Sequence, residues 1–164
     1  MKVRIAKSSD LTQIVEIFNQ AIINGGANAF TNTVTPEERK NWFDSHQDPN
    51  FILICEIEEI IVAWCSITPY RQGRLALSKT AEISYYVHQD YIGKGIGKYI
   101  VKETILLAKS KGFKNLIAIM LDTNEASKNL LLKFEFQIWG HLPKIAEFPD
   151  YTCGQYYIGK NLTI

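Results

Sequence analysis

A glycine-rich turn constrains this chain more than any other feature. The segment Gly93-Lys94-Gly95-Ile96-Gly97-Lys98 lies between a predicted strand and a predicted helix. Glycine has no Cβ, so backbone N–H groups in such a turn can face a ligand. The following helix adds its free N-terminal amides and the positive end of its dipole. The turn therefore predicts a pyrophosphate site, to which Lys94 and Lys98 add charge, with a plain strand-to-helix turn as the alternative.

The turn differs from two common phosphate motifs. Lys98 is followed by Tyr99, whereas a Walker A loop requires Ser or Thr there. Lys98 also stands where the third glycine of a GxGxxG motif belongs. The spacing thus favours an anion site that is neither a P-loop nor a Rossmann fingerprint.

The strand predicted over 80–88 carries a carboxylate. Glu82, Ser84, Tyr86 and His88 share one face because side chains alternate along a strand. Glutamate is seldom buried without a partner. A carboxylate here can act as a general base, directly or through one water, for an amine whose ordinary pKa is about 10. The alternative is a partly exposed residue paired with Arg74 or Lys79.

The order of predicted elements is β-α-α-β-β-β-α-β-α-β-β. Thr35-Pro36-Glu37-Glu38 is typical of a helix start, and the apolar runs 51–57 and 60–67 predict a hairpin. The run 116–121 predicts a strand buried on both faces, and two last strands are expected near 136–141 and 153–160. The pattern predicts a single α/β (α+β) domain over residues 1–164, with one mixed sheet and helices on both faces.

Composition excludes several classes of protein. The 164 residues carry a formal net charge of +1, so no bulk field attracts nucleic acid or an anionic membrane. No apolar run is long enough to cross a bilayer. The three histidines are widely spaced, so no metal site is expected. The three cysteines, an odd number without a CxxC pair, favour a reducing, cytoplasmic location.

Several motifs, in order along the chain, resemble the GNAT superfamily of N-acetyltransferases. They are the turn 93–97, the preceding Ser84-Tyr85-Tyr86-Val87 and the later Asn124-Glu125-Ala126-Ser127. The spacing Arg74-x-Ala76-x-x-x-Thr80-x-Glu82-x-Ser84-x-Tyr86 is similar to the branch that contains phosphinothricin acetyltransferase. Together with Thr35-Pro36-Glu37-Glu38 and Trp42, the resemblance covers nearly the whole chain.

The resemblance implies a strongly twisted sheet whose central strands, 80–88 and 115–121, splay apart to hold acetyl-CoA. It implies that Glu82 is the catalytic base for direct attack of an amine on the thioester, and that a backbone N–H polarises the thioester carbonyl. The implied cofactor-binding residues are Tyr85, Tyr86, Val87, Gly93, Lys94, Gly95, Ile96, Gly97, Lys98, Asn124, Ser127 and Lys133. Phe30, Thr31 and Arg74 are implied near the acceptor, where an arginine can pair with a carboxylate.

Three positions depart from the family pattern. Ile92 replaces the usual Arg or Gln at the start of the turn. Leu131 replaces a Tyr or His that serves as a proton donor, and leucine cannot donate a proton. Tyr86 and Tyr151 are candidate substitutes, or the thiolate leaves unprotonated, since a free thiol has a pKa of about 8.5. Glu135 replaces a glycine before Phe136, which predicts an altered turn.

These observations favour an acetyl-CoA-dependent N-acetyltransferase whose acceptor is the primary amine of an amino acid or a similar small molecule. Two alternatives stay open at this point. One is a peptide or protein N-terminal acetyltransferase, which needs an open groove beside the loop 69–79. The other is a coenzyme A-binding module without transfer. The last strands, 136–160, could also pair between two chains to form a homodimer.

Overall fold

The computed structural model describes residues 1–163 and confirms the predicted order of elements. Ile164, the last residue of the predicted domain, lies outside the described residues. The helices and strands are β1 (Lys2–Ile5), α1 (Leu11–Asn24), α2 (Pro36–Asp44), β2 (Phe51–Ile57), β3 (Ile60–Pro69), β4 (Thr80–Val87), α3 (Ile96–Ser110), β5 (Asn115–Leu121), α4 (Glu125–Leu132), β6 (Gln137–Glu147) and β7 (Thr152–Asn161). None of the helices within residues 1–163 is both long and apolar enough to span a membrane.

The helix starts follow local sequence chemistry. At α2 the Thr35 side chain accepts a hydrogen bond from the Glu38 amide, and the Glu38 carboxylate accepts one from the Thr35 amide. This reciprocal pair is the capping box that the sequence predicts. At α3 the preceding residue, Gly95, has a positive φ of 82°, a conformation that costs glycine little. Both helices therefore begin where the sequence places them.

The strands form one mixed sheet in the order β1-β2-β3-β4-β5-β7-β6. Among the strands of residues 1–163 only β4 and β5 are parallel, and their pairing is short: Thr80 pairs with Asn115, Ala81 with Leu116 and Glu82 with Ile117. Beyond these pairs the two strands separate. The splayed centre that the family resemblance implies is thus present, and it opens at the carboxyl ends of β4 and β5.

Each face of the sheet has its own apolar core. On one side α1 packs against the sheet, in a cluster that includes Phe18 and the buried Trp64. On the other side α3 and α4 pack against β4, in a cluster that includes Ile83, Ile100 and Leu131. Helices therefore cover both faces, as predicted, and alternate β4 residues face opposite cores.

The last hairpin differs from its predicted length. The sequence predicts a strand near 136–141, whereas β6 continues to Glu147 through Pro143 and Lys144. Proline is tolerated because β6 is an edge strand, and the register shift between Leu142 and Ala146 marks a bulge there. Before β6, Glu135 adopts a positive φ of 63°, so it takes the backbone conformation that suits the glycine it replaces.

Candidate active site

Two large cavities meet where β4 and β5 separate. A small cavity of about 60 Å³ lies in this gap and is lined by residues of both strands. It shares Tyr85 and Ser127 with a cavity of about 400 Å³ on the α3 side. It shares Ser84 and Met120 with a cavity of about 690 Å³ on the α1 side. We call the 400 Å³ space the cofactor cavity and the 690 Å³ space the acceptor cavity.

The glycine-rich turn forms one end of the cofactor cavity. The amides of residues 95–98 find no backbone acceptor among residues 1–163, as expected for the first turn of a helix. Gly93, Gly95 and Gly97 line the cavity, and no atom approaches within 4 Å of a Cβ placed at Gly93 or Gly95. This cradle of exposed amides fits an anionic group such as a pyrophosphate.

The side chains of Lys94, Ile96 and Lys98 in the turn lie in three different environments. Lys98 lines the cofactor cavity. Lys94 does not, and its ammonium lies 4.9 Å from the centroid of the Tyr91 ring. The side chain of Ile96 is buried in the core beneath α3, so only its backbone belongs to the turn. Ile92, where the family has Arg or Gln, is exposed and contributes an apolar wall to the cavity.

The free edge of β4 runs along the same cavity. Tyr85, Tyr86 and Val87 line it and have no pairing partner on β5, because the ladder ends at Glu82. Their other edge is paired with β3. Main-chain donors and acceptors on the open edge are therefore available to an extended ligand, in the manner of an added strand.

Asn124 and Ser127 lie across the cofactor cavity from β4. The Asn124 side chain accepts a hydrogen bond of 3.1 Å from the Ser127 amide and so caps α4. The Ser127 hydroxyl lies 2.5 Å from the Tyr85 hydroxyl, which joins α4 to β4 across the gap. Burial raises the pKa of Tyr85 to about 12, so its hydroxyl stays protonated near neutral pH.

The acceptor cavity contains Glu82, Phe30 and Thr31, which the family resemblance implies at or near the acceptor. Part of its wall is aromatic: the Phe18 ring centroid lies 5.0 Å from that of Phe30 and 5.1 Å from that of Tyr86. The Tyr86 hydroxyl also accepts a hydrogen bond of 3.4 Å from the Asn28 side chain. The loop 27–34 thus closes one side of the cavity.

Glu82 is partly buried in the acceptor cavity, at the apex of the gap. Burial is the main influence on its carboxyl group and raises its pKa above the ordinary value. The positive charge of Arg71 acts in the opposite direction. The result is a carboxylate whose affinity for a proton is enhanced, which suits a group that accepts one.

Of the two tyrosines suggested as proton donors, Tyr86 lines the gap and Tyr151 does not. Tyr86 lines both large cavities, whereas Tyr151 is stacked on Phe148 at 4.7 Å and lines neither. Leu131 is fully buried in the core. The hydroxyl groups that line the gap are those of Ser84, Tyr85, Tyr86 and Ser127.

Two residues expected at the site lie outside both cavities. Arg74 is exposed on the loop between β3 and β4 and lines neither space. It immediately precedes a short 3-10 turn, Leu75–Leu77, in this loop. Lys133 follows α4 and lines a separate depression together with Lys102. The structure therefore separates these two cations from the gap.

Other lining residues were not singled out as site residues in the sequence. Arg39 of α2, Ser66 and Thr68 of β3 and Gln155 of β7 line the acceptor cavity. Trp42 and Trp64 line it as well, although Trp64 is almost fully buried. Arg39 and Trp42 are three positions apart on α2, and this spacing is the only local sign that their side chains share a helix face.

Comparisons with known proteins agree with this architecture. The profile of the Acetyltransferase (GNAT) family matches residues 14–136 of the chain. The chain belongs to this family. It is therefore an N-acetyltransferase, and the interpretation as a coenzyme A-binding module without transfer is set aside.

Individual GNAT relatives match over most of their length. YwnH of Bacillus subtilis (strain 168), provisionally named a phosphinothricin acetyltransferase, is 34% identical over 99% of this chain and 100% of its own. The L-amino acid N-acyltransferase MnaT of Escherichia coli (strain K12) is 27% identical over 88% of this chain and 84% of its own. A Salmonella typhimurium structure, yncA with its cofactor acetyl-CoA, has the same fold, with a TM-score of 0.92 at 24% identity over 99% of this chain and 94% of its own.

Acetyl-CoA is the co-substrate of this GNAT enzyme. The free amides of residues 95–98 and the open edge of β4 fit its pyrophosphate and its extended arm. Within the described residues 1–163, no group of three or more His, Cys, Asp or Glu side chains is arranged to bind a metal ion.

Proposed function

We propose that this enzyme transfers the acetyl group of acetyl-CoA to the primary amine of an amino acid or an amino-acid-like small molecule. The observation that carries the proposal is the gap between β4 and β5, where the cofactor cavity and the acceptor cavity share a lining. The names of YwnH and MnaT support an acceptor of this class.

The co-substrate binds along the cofactor cavity. The amides of residues 95–98 bind the pyrophosphate, with Lys98 adding charge, and the open edge of Tyr85 to Val87 binds the extended arm. Asn124 and Ser127 contact it from α4. A backbone N–H of β4 donates a hydrogen bond to the carbonyl oxygen of the thioester and stabilises the negative charge that develops there.

Glu82 acts as the general base. The acceptor amine loses a proton to the Glu82 carboxylate, directly or through one water, and its nitrogen bonds to the thioester carbonyl carbon. The carbon–sulfur bond then breaks, and the nitrogen releases its second proton to water as the amide forms. The raised pKa of Glu82 makes this transfer less unfavourable than it would be for an exposed glutamate. Phe30 and Thr31 border the acceptor on the side of the loop 27–34.

The departing thiolate is stabilised by hydroxyl groups rather than by residue 131. Tyr85 and Ser127 line both the gap and the cofactor cavity and lie 2.5 Å apart. With a pKa of about 12, Tyr85 is a weaker acid than a thiol, whose ordinary pKa is about 8.5. Tyr85 therefore donates a hydrogen bond to the sulfur without giving up its proton, and the thiolate takes a proton from water later.

A homodimer is part of the proposal. The edge strand β6 carries several exposed apolar side chains, among them Ile138, Trp139 and Ile145. Exposed apolar patches and open sheet edges favour association with another chain. Sedimentation velocity over a range of concentrations tests this point, and a monomer at all of them contradicts it.

A cytoplasmic location is likewise proposed from the cysteines. Cys55, Cys65 and Cys153 are free thiols, all buried. Proteins of oxidising compartments more often use their cysteines in disulfides. Fractionation of cells that produce the protein tests the location, and recovery outside the cytoplasm contradicts it.

The central experiment measures thiol release from acetyl-CoA with a panel of L-amino acids, simple amines and short peptides. We expect acceptor-dependent release with one or more amino acids and little with peptides. Release only with peptides would favour N-terminal acetylation instead. Acetyl-CoA binding measured by calorimetry, with no release for any acceptor, would contradict the proposed function.

A further inference from the structure

The guanidinium of Arg39 lines the acceptor cavity without a protein partner for its charge. Its Cζ lies 4.0 Å from the Trp42 ring centroid and 4.9 Å from the Phe18 ring centroid. Among residues 1–163 no carboxylate oxygen lies within 4.0 Å of its nitrogens, and its side chain donates no hydrogen bond to the protein. Arginine carries five N–H donors and does not lose its charge in proteins.

Two aromatic rings contact the Arg39 guanidinium, and none of the described residues accepts a hydrogen bond from it. Arg39 is half-buried, and this burial lowers the pKa of its guanidinium. The faces of the two rings attract a cation but accept no hydrogen bonds of ordinary strength. A partly buried guanidinium whose N–H donors are unused can bind an oxyanion that enters the cavity.

The acceptor cavity is lined by a negatively charged side chain as well as by Arg39. Glu82 lines the same cavity as Arg39. Tyr86 interacts with both: burial raises the pKa of its hydroxyl, the Arg39 charge lowers that pKa and the Glu82 charge raises it. A small molecule in this cavity therefore meets a carboxylate and a guanidinium with an aromatic wall between them.

We propose, on the basis of the proposed function, that Arg39 binds the carboxylate of the acceptor while the acceptor amine faces Glu82. The planar guanidinium can hold a carboxylate through two parallel hydrogen bonds. Arg39 is then a specificity-determining residue that selects amino acids over amines without an acidic group. It takes the role that the family resemblance suggests for Arg74, which lies outside the cavity.

Matched acceptors test this role. For each L-amino acid that the wild-type enzyme acetylates, kcat/KM is compared with that of the amine that remains when the α-carboxylate is removed; for L-methionine this is 3-(methylthio)propylamine. In Arg39→Gln we expect kcat/KM for the amino acid to fall about 10- to 100-fold, the usual effect of losing hydrogen bonds to a charged group. For the decarboxylated amine we expect a change of less than about threefold.

Three further variants complete the design. Arg39→Lys keeps the charge but loses the planar fork, so an intermediate loss with the amino acid is expected. Lys40→Gln removes one positive charge from the neighbouring position of the same helix, where Lys40 is exposed and paired with Asp44. We expect it to leave both acceptors unaffected. Arg74→Gln tests the residue that the sequence favoured.

The outcomes separate this inference from the proposed function. If no amino acid supports thiol release in the wild-type enzyme, the proposed function and the inference both fail. If amino acids are acetylated but Arg39→Gln lowers kcat/KM equally for the amino acid and its decarboxylated amine, only the inference fails. It also fails if the selective loss appears in Arg74→Gln and not in Arg39→Gln. Unchanged calorimetric affinity for acetyl-CoA in Arg39→Gln shows that the variant is folded.

Discussion

Glu82 of β4 pairs with Ile117 of β5, and this is the last pair before the two strands separate. The carboxylate thus lies at the apex of the gap, on the face that lines the acceptor cavity. The next two residues of β4 with the same orientation, Ser84 and Tyr86, line both the gap and the acceptor cavity. One strand therefore supplies the proposed base and the surface on which the two substrates meet.

Glu82→Gln should slow turnover far more than it weakens acetyl-CoA binding. Removal of a general base typically lowers a rate by about 10²- to 10⁴-fold. The amide is nearly the same size as the carboxylate, so the cavity keeps its shape. The measurement is kcat from thiol release, together with calorimetry for acetyl-CoA. Parallel losses in kcat and in acetyl-CoA affinity would argue against the role as base.

The same substitution should change the pH dependence of stability. Because burial raises the pKa of Glu82, its contribution to stability is complete below the ordinary pKa and is lost as pH rises through the folded-state value. Glu82→Gln should therefore melt at a higher temperature than wild type at about pH 8, and the difference should shrink toward about pH 4. Thermal unfolding followed by circular dichroism measures this. A constant difference across that range would contradict the assignment.

Tyr85→Phe should lower kcat about tenfold while acetyl-CoA affinity changes little, since a hydrogen bond of this kind is worth roughly 1–2 kcal/mol. The ring and its packing stay, and only the hydroxyl that contacts Ser127 is removed. The kcat of Tyr85→Phe is compared with that of Ser127→Ala, which removes the hydroxyl that pairs with Tyr85. Wild-type kcat in Tyr85→Phe would show that the thiolate needs no donor from β4.

Gly97→Ala should weaken acetyl-CoA binding without unfolding the protein. A Cβ at this position would lie 3.4 Å from the side chains of Val87 and Leu130, in ordinary contact, and would occupy space at the cofactor cavity. We expect Kd to rise about tenfold, a loss of about 1.4 kcal/mol. Gly112→Ala is the control: its φ of 83° makes alanine costly by roughly 1–2 kcal/mol, but it lines no part of that cavity. If Gly112→Ala lowers affinity as much, the effect is one of stability.

Asp10→Asn should destabilise the fold by about 2 kcal/mol, because it removes the charge that accepts hydrogen bonds from Arg4 and leaves Arg4 paired with Glu56 alone. Asp10 is buried and accepts hydrogen bonds of 2.7 and 3.0 Å from the Arg4 guanidinium. These bonds hold the pKa of Asp10 below its ordinary value, so this stability is present above that value and is lost as pH falls through the folded one. Urea unfolding of wild type and variant measures the difference. Asp44→Asn, at an exposed pair with Lys40, should cost less than about 1 kcal/mol.

Features that depend on neighbours along the chain could be predicted from the sequence. The capping box at Thr35 and Glu38, the hairpin of β2 and β3 and the glycine-rich turn before α3 all lie where local chemistry places them. The order of elements was likewise available, because hydrophobic periods of 2 and 3.6 residues distinguish strands from helices. The cofactor side of the site follows from these features, since a turn and the strand before it adjoin in sequence.

The acceptor side depends on contacts between distant segments, and only the tertiary structure decided it. Arg39 is 43 positions before Glu82 (82 − 39), and nothing in the spacing of either segment indicates that both line one cavity. The sequence instead favoured Arg74, eight positions before Glu82 (82 − 74), which lies outside that cavity. Local periodicity fixes which face of an element is apolar, but the packing of α2 against the sheet determines which charge remains without a partner inside the cavity.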